Sequence, residues 1–312
     1  MSANLSRVAY FGPAGTFTEE ALFTQSDLAV GELVAFGSIA DVLSAVEGGD
    51  CALGFVPLEN AIEGTVNATI DGLVFDVDLR IIREVVLDIH LNLMALPGTT
   101  VEEIDTVISF PHALAQCREF LSANLPTAVA VASNSTADAA KTLGEQRLER
   151  TAAIAPRLAA ELYGLVIVAA GIEDHPENQT RFVAVAKRGV PERSGYDRTA
   201  IVCFQDADRP GSLYGILGQF AARNVNLTRL ESRPTKRSLG DYCFIIEFEG
   251  HIGDPLIADC LAEMSATVAR VKFLGSYPVA GVSAADERAS LSEQRSEARA
   301  WVDALVHEQI EH

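Results

Sequence analysis

The chain has 312 residues, 48% of them apolar, with 24 basic and 43 acidic side chains and a formal charge of −19. At roughly 100–200 residues per domain this length allows two or three domains, and the apolar content excludes an intrinsically disordered chain. So large a negative charge excludes nonspecific capture of nucleic acid or anionic lipid by a basic surface. The charge is uneven: residues 1–197 carry 12 basic and 27 acidic side chains, residues 198–278 nine of each, and residues 279–312 three and seven.

No apolar run reaches the roughly 18 residues needed to span a bilayer. The first residues, MSANLSRVAYFGP, enter a strand pattern without the charged segment, apolar core and cleavage site of a secretory signal, so a cytoplasmic protein with no membrane partner is expected. Cys51, Cys117, Cys203, Cys243 and Cys260 are odd in number, widely spaced and free of any C-x-x-C pair. They indicate neither a disulfide framework nor a zinc knuckle and read as small buried apolar residues.

Apolar runs and helical stretches alternate from the start: RVAYF, a helix from Thr16, LVAF, a helix near Ser38, then ALGFVPL. Such alternation predicts parallel βαβ units with strands buried on both faces. Thr16 and Glu19 have the spacing of a capping box. The strand-rich stretch 79–96, LRIIREVVLDIHLNLMAL, breaks the rhythm, and a second α/β set follows. It runs through DTVISF, the helix HALAQCREFLSANL, TAVAVA, a helix opened around Ser135, AAIA and a helix begun by Pro156; LVIVAA and RFVAVAK close the region. The expectation is a two-lobed domain over residues 1–187, one lobe about 1–78 plus 165–187 and the other 79–164, with a cleft between them suited to a small molecule.

RGVPERSGYD at residues 188–197 reads as a linker. Residues 198–278 give strand, helix, strand, strand, helix, strand, a βαββαβ ferredoxin-like sandwich that buries only a modest core and so suits pairing with a second copy. In the tail 279–312, Leu291, Ala298, Trp301, Val302 and Leu305 fall near helical spacing and predict one amphipathic helix.

Four segments stand where chemistry could sit. FGPAGT joins a strand to a helix start, which favours an anion, but has neither of the glycine spacings of nucleotide-binding loops. PLENAIEGTV puts Glu59 and Asn60 at the C-terminal end of a strand, where ligands meet open α/β sheets; a turn built on Asn60 and Gly64 is the plainer reading. In SFPHALAQC, Ser109 is either a ligand donor or a helix cap, and Gln116 lies about one turn into the helix. His112 has no second His, Asp or Cys at metal-ligand spacing and reads as a surface residue. NQTRFVAV brings Asn178, Gln179, Thr180 and Arg181 ahead of the closing strand, with Arg181 either a binding cation or one half of a structural ion pair. There is no G-x-S-x-G and no H-E-x-x-H, so hydrogen bonds rather than a metal or covalent nucleophile would carry any chemistry.

Taken in order, GPAGTFTEEAL, PLENAIEGTV, SFPHALAQC and NQTRFVAV, followed by RPGSLYGIL and LTRLESRP, resemble prephenate dehydratase with a C-terminal ACT regulatory domain, over residues 7–278. The resemblance implies a catalytic domain like type II periplasmic binding proteins and an enzyme, a carbon–oxygen lyase. Its reaction removes CO2 and water from prephenate to give phenylpyruvate in phenylalanine biosynthesis, with no cofactor and no metal. It makes Thr180 the principal catalytic residue and places Glu59, Asn60, Ser109, Gln116, Arg181 and Phe182 at the substrate. An alkyl hydroxyl is a weak acid, so Thr180 is expected to donate a hydrogen bond to the leaving oxygen. The negative domain would then meet a dianion with Arg181, the helix start near Gly15 and amide donors.

For the ACT module the resemblance implies phenylalanine bound at a subunit interface by Gly211, Ser212, Leu213, Asn226, Leu227, Glu231, Ser232 and Arg233, in a homo-oligomer, a dimer or homotetramer. Two departures stand out: SFPH replaces the common SHPQ, and GSLY replaces GALV. Arogenate dehydratase shares these motifs. A noncatalytic amino-acid sensor would not need Thr180, Arg181 and Phe182 together.

Overall fold

The computed structural model describes residues 7–204, 210–236, 241–267, 270–281 and 301. They fall into two compact units, residues 7–80 with 84–188 and residues 81–83 with the described residues from 189 onward. The amphipathic helix expected over Leu291, Ala298, Val302 and Leu305 lies outside the described residues. No helix among the described residues is long and apolar enough to cross a membrane.

Among the described residues up to 188 the strands are β1 (Arg7–Phe11), β2 (Glu32–Phe36), β3 (Leu53–Asn60), β4 (Gly64–Thr65), β5 (Arg80–Asp88), β6 (Asn92–Ala95), β7 (Thr106–Ser109), β8 (Val129–Ala132), β9 (Thr151–Ala155), β10 (Val166–Ala169) and β11 (Gln179–Ala186). In one lobe the order is β5-β11-β3-β1-β2, with β4 folded onto β3; in the other it is β10-β6-β9-β7-β8. β1 pairs in parallel with β2 and β3, and its Val8, Ala9 and Tyr10 are buried, as strands covered on both faces require.

The strands divide between the lobes at other points than the sequence pattern suggested. β5 belongs to the first sheet, and β10 pairs with β6 in the second, so the crossings run through 89–91 and 170–178. Short apolar strings such as VIVA fit either sheet equally well, and only their partners decide between them.

Local caps follow the sequence. Thr16 accepts from Glu19 N ahead of the helix Phe17–Phe23, Ser38 caps Ile39–Gly48, and Ser135 caps Thr136–Gln146. Glu19 departs from the capping-box pattern: its carboxylate accepts Gly15 N at 2.6 Å and Tyr10 OH at 2.7 Å, which ties the 11–16 loop to β1. Burial and that carboxylate raise the Tyr10 hydroxyl well above its ordinary pKa. All five cysteines are buried, and burial pushes the thiols of Cys117 and Cys203 up to about 12.

The lobes meet closely beside this loop. Tyr163 OH donates to Ala14 O at 2.8 Å, and Gly15, at φ 86°, lies against Ala159 and Tyr163 with no room for a free-standing side chain. A Cβ at Gly144 would sit 2.5 Å from Tyr163 O and 3.1 Å from its Cβ. Relief would separate two helices that share Ala139, Ala140, Leu143, Ala159 and Ala160 in one buried cluster. Gly144→Ala is therefore expected to lower stability by about 1–3 kcal/mol, read as an earlier urea midpoint.

In the second unit β12 (Asp197–Phe204), β13 (Leu227–Pro234), β14 (Tyr242–Glu249) and β15 (Arg270–Pro278) alternate with the helices Ser212–Ala221 and Pro255–Thr267 as βαββαβ. The strand order is β13-β14-β12-β15, and the pairs β12·β14, β12·β15 and β13·β14 are antiparallel. Ile201, Cys203, Ile216, Phe220, Ile246, Phe248, Ile257 and Met264 fill the space between sheet and helices. Residues 187–196, between β11 and β12, carry no helix or strand, yet Asp197 accepts Ser194 N and Gly195 N, and Arg193 pairs with Asp254.

Candidate active site

Between the lobes of the first unit lies a cleft of about 290 Å³. From the first lobe it is lined by Phe11, Thr16, Phe17, Thr18, Pro57, Asn60, Glu63, Thr180 and Phe182. Phe110, His112, Gln116, Asn134, Ser135 and Thr136 close it from the second, with Asn178 at the crossing.

The antiparallel register sets Thr180 of β11 opposite Asn60 of β3. Asn60 Oδ1 accepts the backbone N–H groups of Ile62 (3.0 Å) and Glu63 (2.9 Å), which fixes the amide orientation because those groups can only donate. Asn60 Nδ2 consequently donates to Thr180 Oγ1 and to Asn178 Oδ1, each at 2.9 Å. Asn60 thus builds the turn through its oxygen and lines the cleft, with its amide hydrogens given to neighbouring side chains. Asn178, 1% exposed, extends the chain through Nδ2 to Gln116 Oε1 at 3.4 Å, and Gln116 Nε2 reaches Glu63 Oε1 at 3.2 Å. Four amides and hydroxyls from both lobes thus form one polar string along the cleft.

Gln116 reaches it because the expected long helix breaks there. Pro111–Ala115 and Arg118–Asn124 are separate helices: Gln116 O accepts Asp174 N, and the Asp174 carboxylate accepts the N–H groups of Arg118 and Glu119. An acceptor from a distant crossing does the capping, so the break has no local sequence signal.

Three residues expected at the substrate lie elsewhere. Ser109 is fully buried and donates to Ile154 O at 2.6 Å; it neither lines the cleft nor caps the helix. Arg181 lies between Glu59 (2.8 Å) and Glu84 (3.2 Å), its side chain 11% exposed and that of Glu84 2%. Glu59 is accordingly held in this pairing and is absent from the cleft wall. Successive residues of a strand face opposite ways, so with Thr180 and Phe182 turned to the cleft Arg181 points to the other face. The Gly15 N–H, expected to meet an anion, is already bonded to Glu19. Phe182 does line the cleft and stacks on Phe55 with ring centroids 5.7 Å apart, forming a rigid apolar floor.

His112, read from the sequence as a surface residue, is exposed and also lines the cleft mouth. Its Nδ1 lies 3.0 Å from Glu63 Oε2, and that hydrogen bond holds the Glu63 carboxyl below the usual carboxylate range.

The cleft therefore presents a hydroxyl oriented by an amide, a row of neutral hydrogen-bond groups and apolar rings. Residues 8–190 match the sequence profile of prephenate dehydratase. The chain belongs to the prephenate dehydratase family. Residues 199–265 match the profile of the ACT domain. The prephenate dehydratase of Amycolatopsis methanolica is 43% identical over 305 residues, which cover 96% of this chain and 98% of that one. The crystal structure of prephenate dehydratase from Arthrobacter aurescens in complex with L-Phe is 37% identical, covers 96% of this chain and 99% of that one, and superposes with a TM-score of 0.81. GqqA, described as a novel type of quorum-quenching acylase, is 29% identical over 88% of this chain and 98% of its own, with a TM-score of 0.79.

In the ACT unit Gly211, at φ 88°, is the N-cap of the helix that begins with Ser212 and Leu213. Leu227 packs on the core, and Asn226 donates to Glu249 at 2.7 Å. Glu231 pairs with Arg229 (2.8 Å) and Arg233 (3.3 Å), while Ser232 is exposed on the same strand.

Proposed function

We propose that this chain is a prephenate dehydratase that converts prephenate to phenylpyruvate, with residues 1–187 catalytic and 198–278 a regulatory module that binds phenylalanine. In the reaction the electron pair of the bond to the ring carboxylate moves into the ring as CO2 leaves. The hydroxyl departs from the opposite carbon and takes up a proton to become water. Gain of an aromatic ring drives the step, so the protein mainly orients the substrate and stabilises the departing oxygen.

The single observation that carries the reading is the bond from Asn60 to Thr180. With its oxygen accepting from an amide, the threonine hydroxyl has its own proton to give, and a leaving hydroxyl is a suitable acceptor. Thr180 is the catalytic residue in this account, Asn60 its positioning partner, Asn178 and Gln116 donors and acceptors for the substrate, and Phe182 the apolar wall. An acyl hydrolase would need a base to take the nucleophile's proton, and an amide that donates to Thr180 cannot serve as one. The eleven-residue helix Thr136–Gln146 begins at the cleft, and its N-terminal N–H groups favour the substrate's negative charge.

The ACT reading rests on Gly211–Leu213, Asn226–Leu227 and Glu231–Arg233, with phenylalanine favouring one arrangement of the protein over another by differential affinity. A cytoplasmic homo-oligomer, a dimer or tetramer, completes the proposal. Incubation of the purified protein with prephenate should yield phenylpyruvate, and added phenylalanine should slow it. A kcat/KM for arogenate above that for prephenate would make the chain an arogenate dehydratase, and no turnover of either would leave an amino-acid sensor.

A further inference from the structure

The cleft has little positive charge to offer a substrate with two carboxylates. Among the described residues that line it none is a lysine or arginine, and only Glu63 and His112 have ionisable side chains. His112 stacks on Phe110 with ring centroids 5.3 Å apart and planes within 13°, and its Nδ1 faces Glu63 Oε2 at 3.0 Å. The phenyl ring fixes the imidazole plane, and the carboxylate takes one nitrogen, which leaves Nε2 for another partner. Glu63 is held in turn by Gln116. The charged group facing the imidazole is thus Glu63; Phe110 and Gln116, its other neighbours in the cluster, are neutral.

We propose that His112 is the proton-dependent counter-ion of the cleft, receiving one substrate carboxylate at Nε2 when the ring is doubly protonated, with Glu63 orienting it. The inference rests on the prephenate reading and adds a substrate-positioning residue to it. Substrate carboxylates stay ionised near neutral pH, whereas histidine is the side chain whose charge changes most readily in the physiological range. Affinity for the dianion is therefore present at low pH and lost as pH rises.

The test is initial-rate kinetics of the full chain on prephenate at about pH 6 and about pH 8, corrected for uncatalysed reaction. The wild-type KM should rise roughly tenfold between them, with kcat changed much less. His112→Gln should show the high KM at both values and His112→Lys the low KM at both. A His112→Gln protein with the wild-type KM and the same rise with pH overturns the proposal. If that variant fails to fold, His112→Asn supplies a second reading: a folded His112→Asn protein with the wild-type KM and the same rise with pH overturns the proposal. Calorimetric binding of phenylpyruvate at both pH values reads the same cation without turnover: it should be tighter at the lower pH in wild type and indifferent in His112→Gln. A wild-type protein that binds in this way but does not turn over prephenate would contradict the function and not the role of His112.

Discussion

Thr180→Val should lower kcat on prephenate by about 10²- to 10³-fold, the usual loss when one donor to a developing oxyanion is removed, while Thr180→Ser keeps most of the activity. Valine matches threonine in shape and Thr180 is only 8% exposed, so the backbone of β11 has no reason to move. What is lost is the hydroxyl that Asn60 holds at 2.9 Å. Serine restores an oxygen that the same amide can hold. The partition between kcat and KM is informative: a group that acts only on the departing oxygen changes kcat and leaves ground-state binding nearly untouched. Equal kcat in wild type, Thr180→Val and Thr180→Ser would remove the threonine from the chemistry. The comparison requires all three to unfold at similar temperatures, since Thr180→Val leaves Asn60 Nδ2 with Asn178 Oδ1 and the longer contact to Gln179 O at 3.3 Å.

Arg181→Met should act in the opposite way, lowering stability by about 3–5 kcal/mol while changing the KM of the folded protein less than about threefold. The side chain of Glu84 is 2% exposed, and Arg181 faces it at 3.2 Å. Removing the guanidinium takes from a buried carboxylate the cation that faces it, which is costly whatever the enzyme does with its substrate. Arg181→Lys should fall between, because an ammonium cannot reach Glu59 and Glu84 with the two arms of a planar fork. A stable Arg181→Met protein whose KM rises more than about tenfold would restore Arg181 to the substrate.

These two neighbours on one strand show how far the sequence could be read. The string NQTRFVAV located the strand end that borders the cleft, and ENAIEG located its partner. The parity of the strand separates Thr180 and Phe182 from Arg181 as soon as any one of them is placed, a constraint the sequence already contains. The family motif alone places Arg181 toward the ligand, whereas the alternation turns it to the opposite face. Ser109 fails for another reason: a serine at a strand end has the same local signature whether its hydroxyl meets a ligand or, as here, Ile154 O.

Gln116 lines the cleft, but the device that turns it inward, Asp174 capping Arg118 and Glu119 from 56 and 55 residues away, leaves no local trace. His112 and Asn178 show the same limit. His112 meets Glu63 only when the two lobes come together, and Asn178 meets Asn60 through the pairing of β11 with β3, strands far apart in the chain. The architecture was more legible than the site because burial on both faces of β1 and the βαββαβ order are written in local periodicity. Assignment of β5 and β10 to their sheets depended on partners far along the chain.

The most direct measurement is a crystal structure of the protein with a saturated analogue of prephenate, a ring that keeps both carboxylates and the hydroxyl but cannot become aromatic. The account predicts the analogue's hydroxyl oxygen within about 3 Å of Thr180 Oγ1, its ring against Phe182 and one carboxylate beside His112. An analogue bound with its hydroxyl remote from Thr180, or gripped by Arg181 on the far face of β11, would contradict it.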